Sequence, residues 1–156
     1  MNLTSRSRYA LKVMLDLARH QSDNLVRRHD IARREGIPAK YLDQILVRLR
    51  KSGLIDSIRG RAGGFRIAKS PASITMWDIF RGVEDGIYPV ECVDEHADCQ
   101  FAVSCVANEP WRVIFDAMRS ELMRMTLASF AAGENDHHLM CPMAGVRECR
   151  PGREPI

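Results

Sequence analysis

Apolar residues recur at helical spacing in the first fifty positions of the chain. The first segment has them at i, i+3, i+4 and i+7, namely Ala10, Val13, Met14 and Leu17. This pattern predicts an amphipathic helix over residues 5–20. A second, shorter helix is predicted over residues 27–36, where Gly36 provides the stop.

A third helix is predicted over residues 38–52, with Pro38 in its first turn and Gly53 after its end. Its apolar residues fall on one stripe, which consists of Leu42, Ile45, Leu46 and Leu49. Its other face is polar, with Lys40, Asp43, Gln44 and Arg48. We therefore expect one side to be buried and the other to face solvent or a ligand.

Two short alternating segments follow, "LIDSIR" and "GFRIAK", joined by "GRAGG". The alternation predicts two strands, and the glycines permit the tight turn of a hairpin. A further helix is predicted from Ser73 or Thr75 through "ITMWDIFRGVE". From Asp85 to about Cys105 the apolar residues show neither helical nor strand periodicity.

A long helix is predicted from Asn108 to about Ala131, because its apolar residues form one continuous stripe. The stripe consists of Trp111, Ile114, Phe115, Met118, Leu122 and Met125. It either packs on the chain's own domain or forms a dimer interface, and we favour the dimer. Residues 133–156 lack a period and are expected to form a mobile tail.

Together these elements predict a mainly α fold, in which a winged helix-turn-helix carries a small β-hairpin wing and is followed by a long dimerisation helix. We expect a DNA-binding domain over residues 1–82, a cysteine-rich loop over 83–107 and the dimer helix over 108–132. The N-terminal segment has no unbroken apolar run, which argues against a secretory signal, and no run is long enough to span a membrane. A cytoplasmic location is expected.

Charge divides the chain into two halves. Residues 1–70 hold 16 Lys and Arg against 6 Asp and Glu, a balance of +10, whereas residues 71–156 hold 7 against 14, a balance of −7. A basic helix-turn-helix suits double-stranded DNA as its partner. The candidate contacts are Lys40, Asp43, Gln44 and Arg48 for base edges, Arg50 and Lys51 for phosphate, and Arg59 and Arg61 in the wing.

Three stretches, "SRYALKVMLDLA", "YLDQILVRLRKSGLIDSIRGRAGGFRIAK" and "ITMWDIFRGVE", closely resemble the bacterial regulator family that includes IscR, NsrR, RirA and CymR. The resemblance runs from residue 1 to about 130. It implies a homodimer paired through the long helix and an iron–sulfur cluster, [2Fe–2S] or [4Fe–4S], held by loop cysteines. The matching positions are Cys92, Cys99 and Cys105 for the cluster, and Tyr41, Asp43, Gln44 and Arg59 for DNA.

The chemistry of the loop cysteines leaves alternatives open. Their spacing, C-x6-C-x5-C, lacks the close pairs of a structural zinc site. Thiolates are the usual ligands of iron–sulfur clusters, and the acidic surroundings mean that metal binding itself must drive deprotonation. A zinc or other single ion, or thiols that act by oxidation, are the other interpretations.

The sequence offers several candidates for the fourth ligand of the cluster. Some members of the family use a histidine where this chain has Asn108, and others use a carboxylate near the position of Arg8. His96, Glu109, a tail thiol or a small molecule would each serve instead. The tail thiols are Cys141 and Cys149, which we expect to lie outside any site.

The predicted function is a homodimeric transcription regulator, a repressor or an activator, that senses iron, redox state or nitric oxide through the cluster. The alternatives are a metal-free or zinc-containing regulator controlled by a protein or small-molecule partner, and an electron-transfer protein. No catalytic triad or carboxylate pair stands out, so we do not expect an enzyme.

Overall fold

Six α-helices and one two-stranded sheet make up the part of the chain that the computed structural model describes, residues 4–20, 25–60, 62–94 and 105–132. In chain order they are α1 (Ser5–His20), α2 (Arg28–Glu35), α3 (Ala39–Lys51), β1 (Ile55–Ile58), β2 (Gly64–Ile67), α4 (Met76–Val83), α5 (Asn108–Arg124) and α6 (Leu127–Ala131). Two single 3-10 turns lie at Pro71–Ser73 and Glu91–Val93. The mainly α, winged fold class is confirmed.

The core lies between the first four helices, where the predicted stripes meet. All four apolar residues of the α1 stripe are buried, as are all four of the α3 stripe. Ile74, Ile79 and Val83 contribute to this core from α4 and the segment before it. Burial of these stripes, rather than helix propensity, accounts for most of the stability of helices this short.

The turn between α2 and α3 has the geometry of a helix-turn-helix. Gly36 ends α2 in the left-handed conformation, with φ of 63°, where a side chain would be strained. The Ile37 N–H donates to the Ala32 carbonyl at 3.1 Å, and Pro38 directly precedes α3. The sequence pattern therefore located this turn correctly.

The wing is the antiparallel hairpin of β1 and β2, in which Ile55 pairs with Ile67 and Ile58 with Gly64. Gly60 adopts φ of 117° in the connecting turn, a conformation that side chains rarely adopt. An isolated bridge between Val26 and Phe65 attaches the wing to the segment before α2. The wing is thus fixed to the helical core at its second strand.

The single long helix predicted from Asn108 to about Ala131 is wrong in one respect, because the helix breaks after Arg124. The Met125 carbonyl accepts from the Met76 N–H at 2.9 Å, and Leu127 N–H donates to the Ile74 carbonyl at 2.8 Å. Thr126 then begins α6, with its Oγ1 accepting from the Ser129 N–H. Pairing with Ile74 and with the first residue of α4 therefore replaces the helical hydrogen bonds at this point.

Candidate nucleic-acid interface and cysteine site

The outer face of α3 carries the polar residues that the sequence predicted for DNA. Lys40, Asp43 and Gln44 are exposed on the first turns, and Arg50 and Lys51 are exposed at the other end. Val47 is also exposed on this face, and the sequence analysis did not include it. An apolar side chain on such a face is suited to contact the methyl group of thymine.

Asp43 is engaged by an arginine that the sequence analysis missed. The Arg28 Nη1 donates to both carboxylate oxygens of Asp43, at 2.7 and 2.6 Å. Arg28 is the first residue of α2, so the contact joins the two helices of the helix-turn-helix. No local pattern signals this pair, because the two residues meet only when the helices pack.

Arg48 and Tyr41 are half-buried on the inner edge of α3. The Arg48 Nη1 donates to the Val83 carbonyl at 3.1 Å and to Asp85 Oδ1 at 2.8 Å. Tyr41 contacts the ring of Tyr9 edge-on, with 5.4 Å between centroids. The assignment of both residues to DNA stays a prediction, and the structure places Arg48 against the end of α4.

The wing residues are only partly described. Arg59 is exposed beside Gly60, in a position to approach a polyanion. Arg61 lies outside the described residues. The Arg50 Nη1 donates to the Ser57 hydroxyl at 3.3 Å, which connects the end of α3 to β1.

The backbones of two of the three loop cysteines meet at the start of α5. The half-buried Cys92 lies in the 3-10 turn Glu91–Val93, and the exposed Cys105 lies three residues before α5. The buried Asn108 joins them, because its side-chain amide donates to the Cys92 carbonyl at 3.3 Å and its N–H donates to the Cys105 carbonyl at 3.0 Å. Cys99 lies outside the described residues.

Some of the candidate fourth ligands of the cluster lie within the described residues, and others lie outside them. Glu109 is exposed next to Asn108. Arg8, which stands at the position that the resemblance assigns to a carboxylate ligand, lies over the Tyr9 ring at 5.0 Å. The other candidates, His96, Cys141 and Cys149, lie outside the described residues. Within the described part of the chain, no three His, Cys, Asp or Glu side chains are grouped closely enough to hold a metal ion. The thiol donors that are described match the ligand chemistry of an iron–sulfur cluster.

Two carboxylates at the start of the cysteine loop, Glu84 and Asp85, bind residues at the start of α1. Glu84 Oε1 accepts from the Ser7 hydroxyl at 2.6 Å and from the Thr4 hydroxyl at 2.6 Å, as well as from both backbone N–H groups. Burial alone would raise the pKa of Glu84, but the hydrogen bonds from Ser7 and Thr4 outweigh it and lower that pKa. Glu84 thus caps the first turn of α1 from another element.

Asp85 links the same junction to α3. Its carboxylate accepts from Arg48 Nη1 at 2.8 Å and from Arg6 Nη1 at 3.0 Å. These hydrogen bonds, that of Arg48 first, lower the pKa of Asp85. Asp85 therefore binds one arginine of α1 and one arginine of α3, at the start of the segment that leads to the cysteines.

The helix-turn-helix, the β-hairpin wing and the basic residues on the outer face of α3 define a winged-helix DNA-binding transcription regulator. Residues 3–133 match the Rrf2 family, which is described as an iron-dependent transcriptional regulator. The chain belongs to the Rrf2 family, as the resemblance noted in its sequence implies. This family is non-enzymatic, which confirms that expectation.

Individual relatives agree with this assignment. The HTH-type transcriptional regulator IscR of Photobacterium profundum is 36% identical over 135 residues, which cover 86% of this chain and 78% of the relative. The structure of CymR (YrzC), the global cysteine regulator of B. subtilis, superposes with a TM-score of 0.68 at 32% identity, covering 84% of this chain and 96% of CymR. The T. potens IscR structure gives 0.65 at 30% identity, covering 82% and 84%.

In the described residues, none of the helices has both the length and the apolar character needed to cross a membrane.

Proposed function

We propose that this regulator is a homodimer whose cysteine loop holds an iron–sulfur cluster through Cys92, Cys99 and Cys105. In this proposal the state of the cluster sets the affinity of the dimer for its operator DNA. The observation that carries the proposal is the contact of Asn108 with the carbonyls of both Cys92 and Cys105.

Asn108 supports the ligand set because it brings two separated parts of the chain together. Cys92 and Cys105 are thirteen positions apart in the sequence, yet a single buried residue binds the backbone of both. The N-terminal end of α5 also lies beside Cys105, and the positive end of a helix dipole favours negatively charged groups such as thiolates. When bound, the cluster would supply a centre that changes with oxidant, nitric oxide or iron supply.

The link from the loop to DNA runs through Asp85. Because Asp85 accepts from Arg48 of α3 and Arg6 of α1, a change in the path of the loop alters two contacts of the DNA-reading domain. A dimer reads two half-sites about one helical turn apart, so a small rotation of α3 changes the fit at both. The coupling needed is modest, since a tenfold change in affinity corresponds to about 1.4 kcal/mol.

The dimer is supported by the apolar residues that α5 leaves open to solvent. Phe115 is buried against the domain, but Ile114 on the same stripe is 52% exposed, and Trp111 is exposed beside it. Exposed apolar residues grouped on one surface are typical of an interaction site. A second copy of the same helix covers such a stripe in a symmetric dimer.

Anaerobic purification followed by absorption spectroscopy and by iron and sulfide counts tests the cluster. We expect visible absorption bands and stoichiometric iron and sulfide in the wild-type protein. The variants Cys92→Ser, Cys99→Ser and Cys105→Ser should each lose most of both, whereas Cys141→Ser, which removes a tail thiol, should keep them.

Two results would contradict the assignment of an iron–sulfur cluster. Bound zinc without visible bands would favour a structural ion, and a metal-free protein that binds DNA tightly would favour control by a partner. In either case the assignment to a family of DNA-binding regulators would stand.

A further inference from the structure

The ion pair between Arg28 and Asp43 joins the first helix of the helix-turn-helix to the reading face of the second. One nitrogen of the guanidinium, Nη1, donates to both carboxylate oxygens, so Asp43 is held in one orientation. The side chains are 50% and 49% exposed, and the pair therefore lies at the surface that faces DNA in this fold. Asp43 is the acidic residue of that face, among three cations and two uncharged side chains.

A carboxylate on a DNA-reading helix has a narrow use. Phosphates repel it, and its characteristic base-edge partner in the major groove is the amino group of cytosine, which donates a hydrogen bond. A mobile carboxylate has to be ordered before it makes this contact, which costs side-chain entropy. An arginine that fixes Asp43 in advance and balances its charge removes much of that cost.

Arg28 also has donors to spare. A guanidinium carries five N–H groups, and the two on Nη1 face Asp43. Among the described residues, no partner is seen for the three on Nε and Nη2. The first helix of a helix-turn-helix crosses the DNA backbone, and Arg28 is the first residue of that helix. The remaining donors are thus placed on the helix that approaches phosphate.

We propose that Arg28 is a positioning residue for DNA specificity. It holds Asp43 ready to accept from the amino group of a cytosine in the major groove, and its remaining N–H groups bind the neighbouring phosphate. The inference rests on the proposed use of α3 to read DNA, and it assigns to that face one C·G base pair and one residue outside α3.

Selection of operators from a random duplex library, followed by titration of single-base variants, tests the proposal at constant salt. Asp43→Ala identifies the base pair whose discrimination depends on Asp43. Arg28→Ala should lower discrimination at that same base pair about fivefold or more. It should also reduce the slope of log affinity against log salt by about one, because one phosphate contact is lost.

Three further variants separate positioning from a general loss of charge or fold. Arg33→Ala removes an exposed arginine of the same helix, paired with Asp30, and should leave the base preference unchanged. Arg28→Lys should restore the salt slope while recovering only part of the discrimination, because an ammonium lacks the fork of donors. In the Arg28→Ala/Asp43→Ala double variant, discrimination should match that of Asp43→Ala alone.

The failures are distinguishable. If the wild-type protein enriches no sequence, α3 does not read DNA, and both the reading role and this inference are overturned. If it enriches a sequence but Arg28→Ala weakens binding equally to all base variants, Arg28 is an ordinary phosphate contact or interhelical ion pair and the positioning role is wrong. Retained cooperative unfolding of the variants, measured by circular dichroism, shows that the comparison is made on folded protein.

Discussion

Helices α1 and α5 are nearly equal in length but differ in how much of their surface the chain itself covers. Six of the 16 residues of α1 are buried, whereas α5 buries two of its 17, Asn108 and Phe115. Both helices carry an apolar stripe at helical spacing in the sequence. The difference lies in the surroundings, because α1 contacts α2, α3, α4 and α6, while α5 mainly contacts α4 and the turn that holds Cys92.

Helix α1 belongs to a region whose core the chain itself buries, whereas α5 belongs to a region with apolar residues open to solvent. The DNA-reading domain buries its own core and fixes its wing, and its net charge suits a polyanion. The second region combines open apolar residues with two cysteines gathered at one helix end. We infer that a second copy of the chain and a bound metal centre complete it.

The largest expected effect on stability is in the DNA-reading domain. Leu42 is fully buried on α3, and Leu42→Ala should lower the free energy of unfolding by about 2–5 kcal/mol, through the lost burial and the cavity. Val47→Ala on the same helix is the control, because Val47 is 44% exposed, and its effect should be well under about 1 kcal/mol. Chemical denaturation measures both, and equal effects would contradict the assigned faces of α3.

The next largest effect on stability is expected at Glu84, which lies between the DNA-reading domain and the cysteine loop. Glu84→Gln should lower the free energy of unfolding near neutral pH by about 1–3 kcal/mol, because charged hydrogen bonds to Ser7 and Thr4 are weakened. Since the pKa of Glu84 is lowered on folding, its stabilisation is present above about 4.5, its ordinary value, and is lost as the pH falls through the folded pKa.

The difference in stability between wild type and Glu84→Gln should therefore shrink as the pH falls below 4.5. Denaturation curves at several pH values measure it. A difference that stays constant down to strongly acidic pH would show that the charge of Glu84 does not cap α1.

A third change tests whether a second copy covers α5. Ile114→Lys places a charge on the open stripe and should weaken the dimer at least tenfold, about 1.4 kcal/mol, because the ammonium would lose its water in the interface. Asp116→Lys adds the same residue two positions along the helix, on another face, and should leave the dimer intact. Sedimentation velocity over a concentration series distinguishes them. A wild-type monomer at high concentration would remove the dimer from the proposal.

The smallest expected effect concerns the loop. Asn108→Ala removes the amide that holds the Cys92 carbonyl and should speed the loss of iron to a chelator about threefold to tenfold, equivalent to about 1 kcal/mol for a single hydrogen bond. Arg112→Ala, an exposed residue one turn further along α5, serves as the control. Equal rates in both variants would mean that Asn108 does not organise the site.

The sequence predicted what local periodicity determines and missed what depends on tertiary contact. The stripes of α1 and α3, the Gly36 turn and the hairpin were predicted correctly because each is encoded within a few neighbouring residues. The break at Met125 was missed because its backbone pairs with Met76, far away in the chain.

The candidate site follows the same division. Lys40, Asp43 and Gln44 were placed on an exposed face by their spacing alone, and the structure agrees. The bond from Arg48 to Asp85 joins residues distant in the sequence, so no local pattern indicates it. The contact of Asn108 with Cys92 was not predicted either, because the two residues are far apart in the sequence.

The most direct measurement is the affinity for a selected operator of the same protein with and without its cluster, at identical salt. Salt must be matched because phosphate contacts alone change affinity by orders of magnitude over ordinary concentrations. We predict a change of about tenfold or more on cluster removal, with the dimer retained. Equal affinities for the two forms, each confirmed as folded and dimeric, would contradict the proposed link from the cysteine loop to DNA.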